Sequence, residues 1–122
     1  MRARRIVCAV AMLTIVAAAG TAAAHAFLQR AVPPVGSTVS TPPSEVRLWF
    51  TEPLEPAFSS VEVRDAAGNR VDQNDSAVET TDAKQLRIAL PPLAAGTYKV
   101  FWRATSVDTH RTTGDFVFTV RP

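Results

Sequence analysis

Gly96-Thr97-Tyr98-Lys99-Val100-Phe101-Trp102-Arg103 is the stretch that decides the fold class. Successive side chains of an extended strand point to opposite faces. Tyr98, Val100 and Trp102 therefore share one face, and Lys99, Phe101 and Arg103 share the other. The same period of two recurs along the chain. Val46, Leu48 and Phe50 alternate with Glu45, Arg47 and Trp49; Val61 and Val63 with Glu62 and Arg64; Leu86, Ile88 and Leu90 with Gln85, Arg87 and Ala89; Phe116, Phe118 and Val120 with Val117, Thr119 and Arg121. Each run reads as a half-buried strand, and no segment sustains a helical period.

Turn signals separate these runs: Pro33-Pro34-Val35-Gly36-Ser37, Thr41-Pro42-Pro43-Ser44, Ala67-Gly68-Asn69, Gln73-Asn74-Asp75-Ser76, Pro91-Pro92 and Ala95-Gly96-Thr97. All nine prolines fall in such turns or at strand ends, where a missing N–H costs no ladder bond. Short strands at this spacing predict an all-β domain, a Greek-key antiparallel β-sandwich or small barrel of immunoglobulin-like or cupredoxin-like kind. Trp49 and Trp102 lie inside strand patterns and read as packing residues, and Tyr98, opening a strand after Gly96-Thr97, reads as structural.

The start of the chain is different material. Arg2, Arg4 and Arg5 form a basic region, Ile6 to Ala19 an apolar one, and Ala22-Ala23-Ala24 a cleavage box. Residues 1–24 are thus expected to be a cleaved signal peptide and 25–122 the mature domain. The apolar run is too short and Ala-rich for a lasting membrane span, and no C-terminal anchor is expected, so the product is periplasmic, or otherwise extracytoplasmic or secreted. Ordinary secretory export is the expected route, the Arg4-Arg5 pair being the one twin-arginine feature.

Cleavage changes the balance of charge. Three of the 13 Lys+Arg leave with the signal, so ten face 11 Asp+Glu, and the sequence pI of about 9.2 belongs largely to the precursor. Nucleic acid is therefore not an expected partner. Cys8, Met1 and Met12 all fall in the signal, so the mature domain has no sulfur and relies on core packing instead of disulfides.

Only two histidines are present, His25 and His110. His25 would become the mature N-terminus, where its α-amine and Nδ1 can close a chelate ring on one metal. Asp108 and His110, read as residues of an extended segment, would point to the same side and add a carboxylate oxygen and an imidazole nitrogen; the alternatives are an ordinary frayed terminus at His25 and an ordinary polar turn at Asp108-Thr109-His110 between strands ending near Arg103 and starting at Asp115. Three nitrogens and one oxygen suit a tetragonal ion such as Cu(II), with zinc and nickel as competitors, and the lack of sulfur ligands argues against Cu(I). Glu52, at the strand end Trp49-Phe50-Thr51-Glu52-Pro53, is either a solvated surface carboxylate or an acceptor that orients an imidazole or the terminal amine. Glu55, Asp72, Asp75 and Asp82 read as solvated loop residues.

No catalytic set emerges, since cysteine is absent from the mature part, the serines carry no triad signature and no Gly-rich phosphate loop is present. Two rivals fit parts of the pattern. A histidine-brace copper oxygenase also begins with histidine, but the Asp108 carboxylate would fill the position oxygen needs. A non-metal β-sandwich interaction domain would need only the fold.

His25 after its alanine box, Phe50-Thr51-Glu52-Pro53, Ser106-Val107-Asp108-Thr109-His110 and Gly114-Asp115-Phe116-Val117-Phe118-Thr119-Val120 together resemble the CopC family of periplasmic copper-binding, copper-resistance proteins. The resemblance implies a sandwich of about seven strands that binds one Cu(II) through the amine and imidazole of His25 with Asp108 and His110, and Glu52 close by as an outer or weak ligand. It also implies a role in copper homeostasis, by sequestration, carriage or uptake, beside a CopD-type inner-membrane protein. Two departures stand out. The mature part lacks the methionines of members with a second, Cu(I) site, and Arg111 stands where proline often follows the histidine.

Overall fold

The computed structural model describes residues 25–122, so the expected signal peptide, residues 1–24, lies outside the described residues. Eight strands form two four-stranded sheets: β1 (Leu28–Val32), β2 (Thr38–Val39), β3 (Glu45–Phe50), β4 (Ser60–Arg64), β5 (Ala77–Val78), β6 (Gln85–Ala89), β7 (Gly96–Thr105) and β8 (Arg111–Val120). One sheet has the order β1-β3-β6-β5 and the other β2-β8-β7-β4. Every pairing is antiparallel except β2 with β8, which is parallel. Among the described residues no helix is long and apolar enough to cross a membrane.

The alternating runs supply the core. Val46, Leu48 and Phe50 of β3 are buried, as are Leu86 and Ile88 of β6; the facing sheet contributes Val61 and Val63, Tyr98 and Val100, and Phe116, Phe118 and Val120. Register aligns them, with Val46 opposite Ile88, Leu48 opposite Leu86, Val100 opposite Phe116 and Tyr98 opposite Phe118. Removing a fully buried aromatic such as Phe118 would cost about 3–5 kcal/mol. Tyr98 stacks on Phe118 at 5.5 Å and donates its hydroxyl to Ala94 O at 2.6 Å, so a buried aromatic keeps its polar end satisfied. Trp102 packs edge-on against Phe50 at 5.2 Å, while Trp49 lies under the Arg30 guanidinium.

Three strands lack a signature in the sequence. β2 and β5 have two residues each, and β1 has a broken burial pattern and a register shift between Leu28 and Arg30. All three are edge strands, which natural sheets keep short or irregular. The remaining edge, β4, is closed by the following loop. Val61 N donates to Ser76 Oγ, Val63 N to Asp72 Oδ2 and Val71 N to Val63 O. This corrects the reading of Asp72 as solvated. Its side chain is fully covered and also receives Arg70 Nε and the Asn74 N–H. Asp75 likewise accepts from Ala89 N, and Asp82 from Lys84 N and Gln85 Nε2, so these acids pin loops.

Candidate metal centre

β7 and β8 extend further toward their shared hairpin than alternation suggests, to Thr105 and from Arg111. The connecting residues Ser106–His110 form a tight turn closed by Ser106 N to His110 O and Thr109 N to Ser106 O, both at 2.9 Å. Thr109 has φ of 74°, a left-handed conformation that a β-branched residue adopts only under strain. Asp108 and His110 therefore do not sit on one face of an extended strand. The turn, rather than a period of two, brings them together.

In that turn Asp108 Oδ2 lies 3.2 Å from His110 Nδ1. The fully buried Ser106 hydroxyl donates to Asp108 Oδ1, and with His110 beside it holds the Asp108 carboxyl below the usual carboxylate range. His110 Nδ1 is covered from solvent with the Asp108 carboxylate beside it, although the ring as a whole is partly exposed. The nitrogen and the carboxylate form a pair that a ring proton or a metal ion can bridge. Two donors bound to one metal at about 2.0–2.1 Å stand about 2.9 Å apart at a right angle and about 3.3 Å apart at the tetrahedral angle. The observed 3.2 Å is compatible with a shared metal ion and equally with a plain N–H···O bond.

His25 comes to the same place from the other side of the sandwich. Its ring centre is 4.7 Å from that of His110, with 43° between the planes, and 5.9 Å from Phe27. Among the described residues no three His, Cys, Asp or Glu side chains form a ready-made metal cluster. What the fold assembles is the Asp108–His110 pair with the His25 ring alongside. A backbone amine at His25 would be a further donor, and in the unprocessed chain that nitrogen is a peptide nitrogen.

Glu52 lies between two residues that touch this region. Thr51 Oγ1 donates to His25 O, and Pro53 O accepts from Val107 N. The Glu52 carboxylate itself enters no hydrogen bond or ion pair among the described residues, whereas Leu54 bridges to Ser106. Sequence reasoning passed over Ser106, Thr51 and Thr112. Ser106 two residues before Asp108 is a local turn signal; nothing in the sequence marks Thr112.

A groove of about 760 Å³ lies elsewhere. It opens on the outer side of the β4-β7-β8 sheet, where Glu62, Arg70, Phe101, Arg103 and Asp115 line it, and it includes none of His25, Asp108 and His110.

The CopC domain family model matches residues 28–121. The chain is 32% identical to protein YobA of Escherichia coli K12 over 120 residues, covering 98% of this chain and 97% of that one. It is 37% identical to copper resistance protein C of Pseudomonas syringae pv. tomato over 106 residues, 82% of this chain and 83% of the relative. Among solved structures it resembles PcoC, a methionine-rich copper resistance protein from Escherichia coli, with a TM-score of 0.71 and 36% identity over 80% of this chain and all of that one.

Proposed function

We propose that this chain, which belongs to the CopC family, is an exported copper-binding protein that takes up one Cu(II) as cargo and sequesters or carries it. The observation that carries this reading is the convergence of the chain's two histidines and a carboxylate: His110 Nδ1 is 3.2 Å from the Asp108 carboxylate, and the His25 ring centre is 4.7 Å from that of His110. In this reading residues 1–24 are removed on export to the periplasm. His25 then contributes its amine and imidazole, His110 a nitrogen and Asp108 an oxygen, with Glu52 near the edge of the set.

Three further points support it. Two of these relatives are named for copper resistance. The donors are nitrogen and oxygen, which favour Cu(II) over Cu(I). Both methionines, Met1 and Met12, precede the domain, so a sulfur-based Cu(I) site of its own is not part of the proposal even though PcoC is methionine-rich. The protein acts as a carrier rather than an enzyme, because Asp108 fills a coordination position that oxygen chemistry would need open. A CopD-type membrane protein is the proposed recipient or donor.

The test is a Cu(II) titration of the exported protein and its His110→Ala variant, followed by EPR and tryptophan fluorescence. One tight equivalent with a tetragonal, nitrogen-rich spectrum, lost in His110→Ala, supports the reading. Equal binding by the two proteins overturns it.

A further inference from the structure

Residues 25–27 reach the metal region without belonging to either sheet, since β1 begins only at Leu28. A segment ahead of a first strand ordinarily frays. Here it is held by hydroxyls from both layers. Thr51, which follows β3 in one sheet, accepts from Phe27 N at 3.0 Å and donates to His25 O at 3.3 Å through the same oxygen, and its own N–H donates to Phe27 O at 2.9 Å. Thr112, in β8 of the other sheet, donates to Ala26 O at 2.6 Å. Ala26 between them is fully buried.

We infer that Thr51 and Thr112 are positioning residues that clip the segment 25–27 across the open end of the sandwich and thereby set the His25 ring against His110. The two clips act on successive carbonyls, those of His25 and Ala26. Fixing both peptide planes places the His25 Cα, so that only rotations about its Cα–C and side-chain bonds remain to aim the amine and imidazole. Thr112 lies near the start of β8, two residues past His110, so the clip sits next to the turn that carries the hairpin ligand. A preset geometry spares the ordering cost that a frayed terminus would otherwise meet on binding. The consequence for metal affinity rests on the copper reading of the site; the placement of the ring does not.

The experiment uses protein expressed from the full-length sequence and recovered after export, its terminus checked by mass spectrometry. Thr51→Val/Thr112→Val keeps shape and removes both hydroxyls; Thr51→Ser/Thr112→Ser keeps the hydroxyls. Each lost hydroxyl should weaken Cu(II) binding about three- to tenfold, and the pair about ten- to a hundredfold. The Val pair should also alter the nitrogen pattern in EPR, and the Ser pair should restore wild-type values within about twofold. In copper-free protein, NMR should show a ring-to-ring nuclear Overhauser effect between His25 and His110 in wild type and the Ser pair, absent in the Val pair. Circular dichroism checks folding, and the single Val variants carry the comparison if the pair does not fold.

A folded Val pair that keeps both the ring contact and the affinity overturns the inference. If wild type binds no Cu(II), the copper reading fails by itself, and loss or survival of the ring contact still decides the role of the threonines.

Discussion

Replacing Gly114 by alanine tests how closely the interior is fitted near the metal-side end of the sandwich. Gly114 pairs with Trp102 across β7 and β8. Its φ lies outside the left-handed region, so backbone conformation is not the issue; space is. A Cβ at 114 would stand 2.6 Å from Trp102 Cε2, closer still to Cζ2, and 3.0 Å from Nε1. Any shift of the indole also disturbs its edge-on contact with Phe50 at 5.2 Å. Overpacking of this kind costs about 1–3 kcal/mol, which for a domain of this size lowers Tm by about 5–15 °C. Urea unfolding followed by tryptophan fluorescence gives the stability, and near-UV circular dichroism reports the displaced indole. The partner variant Trp102→Leu frees the space, so the double variant should be more stable than the two single losses predict, by about 1 kcal/mol or more. Gly114→Ala within about 0.5 kcal/mol of wild type, or additive losses in the cycle, would refute the steric reasoning.

Three other expectations follow from the same structure. Acid should release the proposed Cu(II), because coordinating amines and imidazoles must lose protons. Asp108 is held below the usual carboxylate range and stays ionised there, so Asp108→Asn should weaken affinity without changing the slope of log affinity against pH between pH 5 and 8 in a titration against a chelator. Glu79 is depressed by its hydrogen bond from Arg47, and Asp82 by Gln85 and the Lys84 N–H. Depressed carboxyls contribute stability above their unfolded pKa of about 4 and lose it as pH falls through the folded value. Glu79→Gln should therefore flatten the acid limb of unfolding midpoint against pH; an unchanged limb would contradict the pairing. Tyr98→Phe deletes the bond to Ala94 O and leaves the stack on Phe118, so chemical denaturation should show a loss of about 0.5–1.5 kcal/mol.

The strands with a core to face are the ones that alternation reveals. β3, β4, β6 and most of β7 and β8 carry an apolar residue at every second position because each packs against the opposite sheet. β1, β2 and β5 are edges whose pairing depends on backbone bonds more than on buried side chains, so composition does not mark them. The first residues of β8 stay hidden for a related reason. Thr112 and Gly114 face the segment at Ala26 and the Trp102 ring instead of apolar side chains.

At the candidate metal centre the residue types are legible and the backbone is not. His25, Asp108 and His110 stand out as the only histidines with a carboxylate beside one of them. That Asp108 and His110 meet through a strained turn at Thr109 depends on the Ser106 bonds, which no spacing rule supplies. Acidic loop residues mislead in the opposite direction. Asp72 looks like a solvated charge and is instead a buried acceptor for the β4 edge, a role set by a loop that folds back.

The most direct test compares Cu(II) binding by protein that begins at His25 with protein carrying one extra residue before it, by titration with EPR detection. If the freed amine is a ligand, the first binds one tight equivalent with a tetragonal, nitrogen-rich spectrum and the extended form loses it. Equal affinity and identical spectra would mean that the amine takes no part, and the proposed site would have to be abandoned.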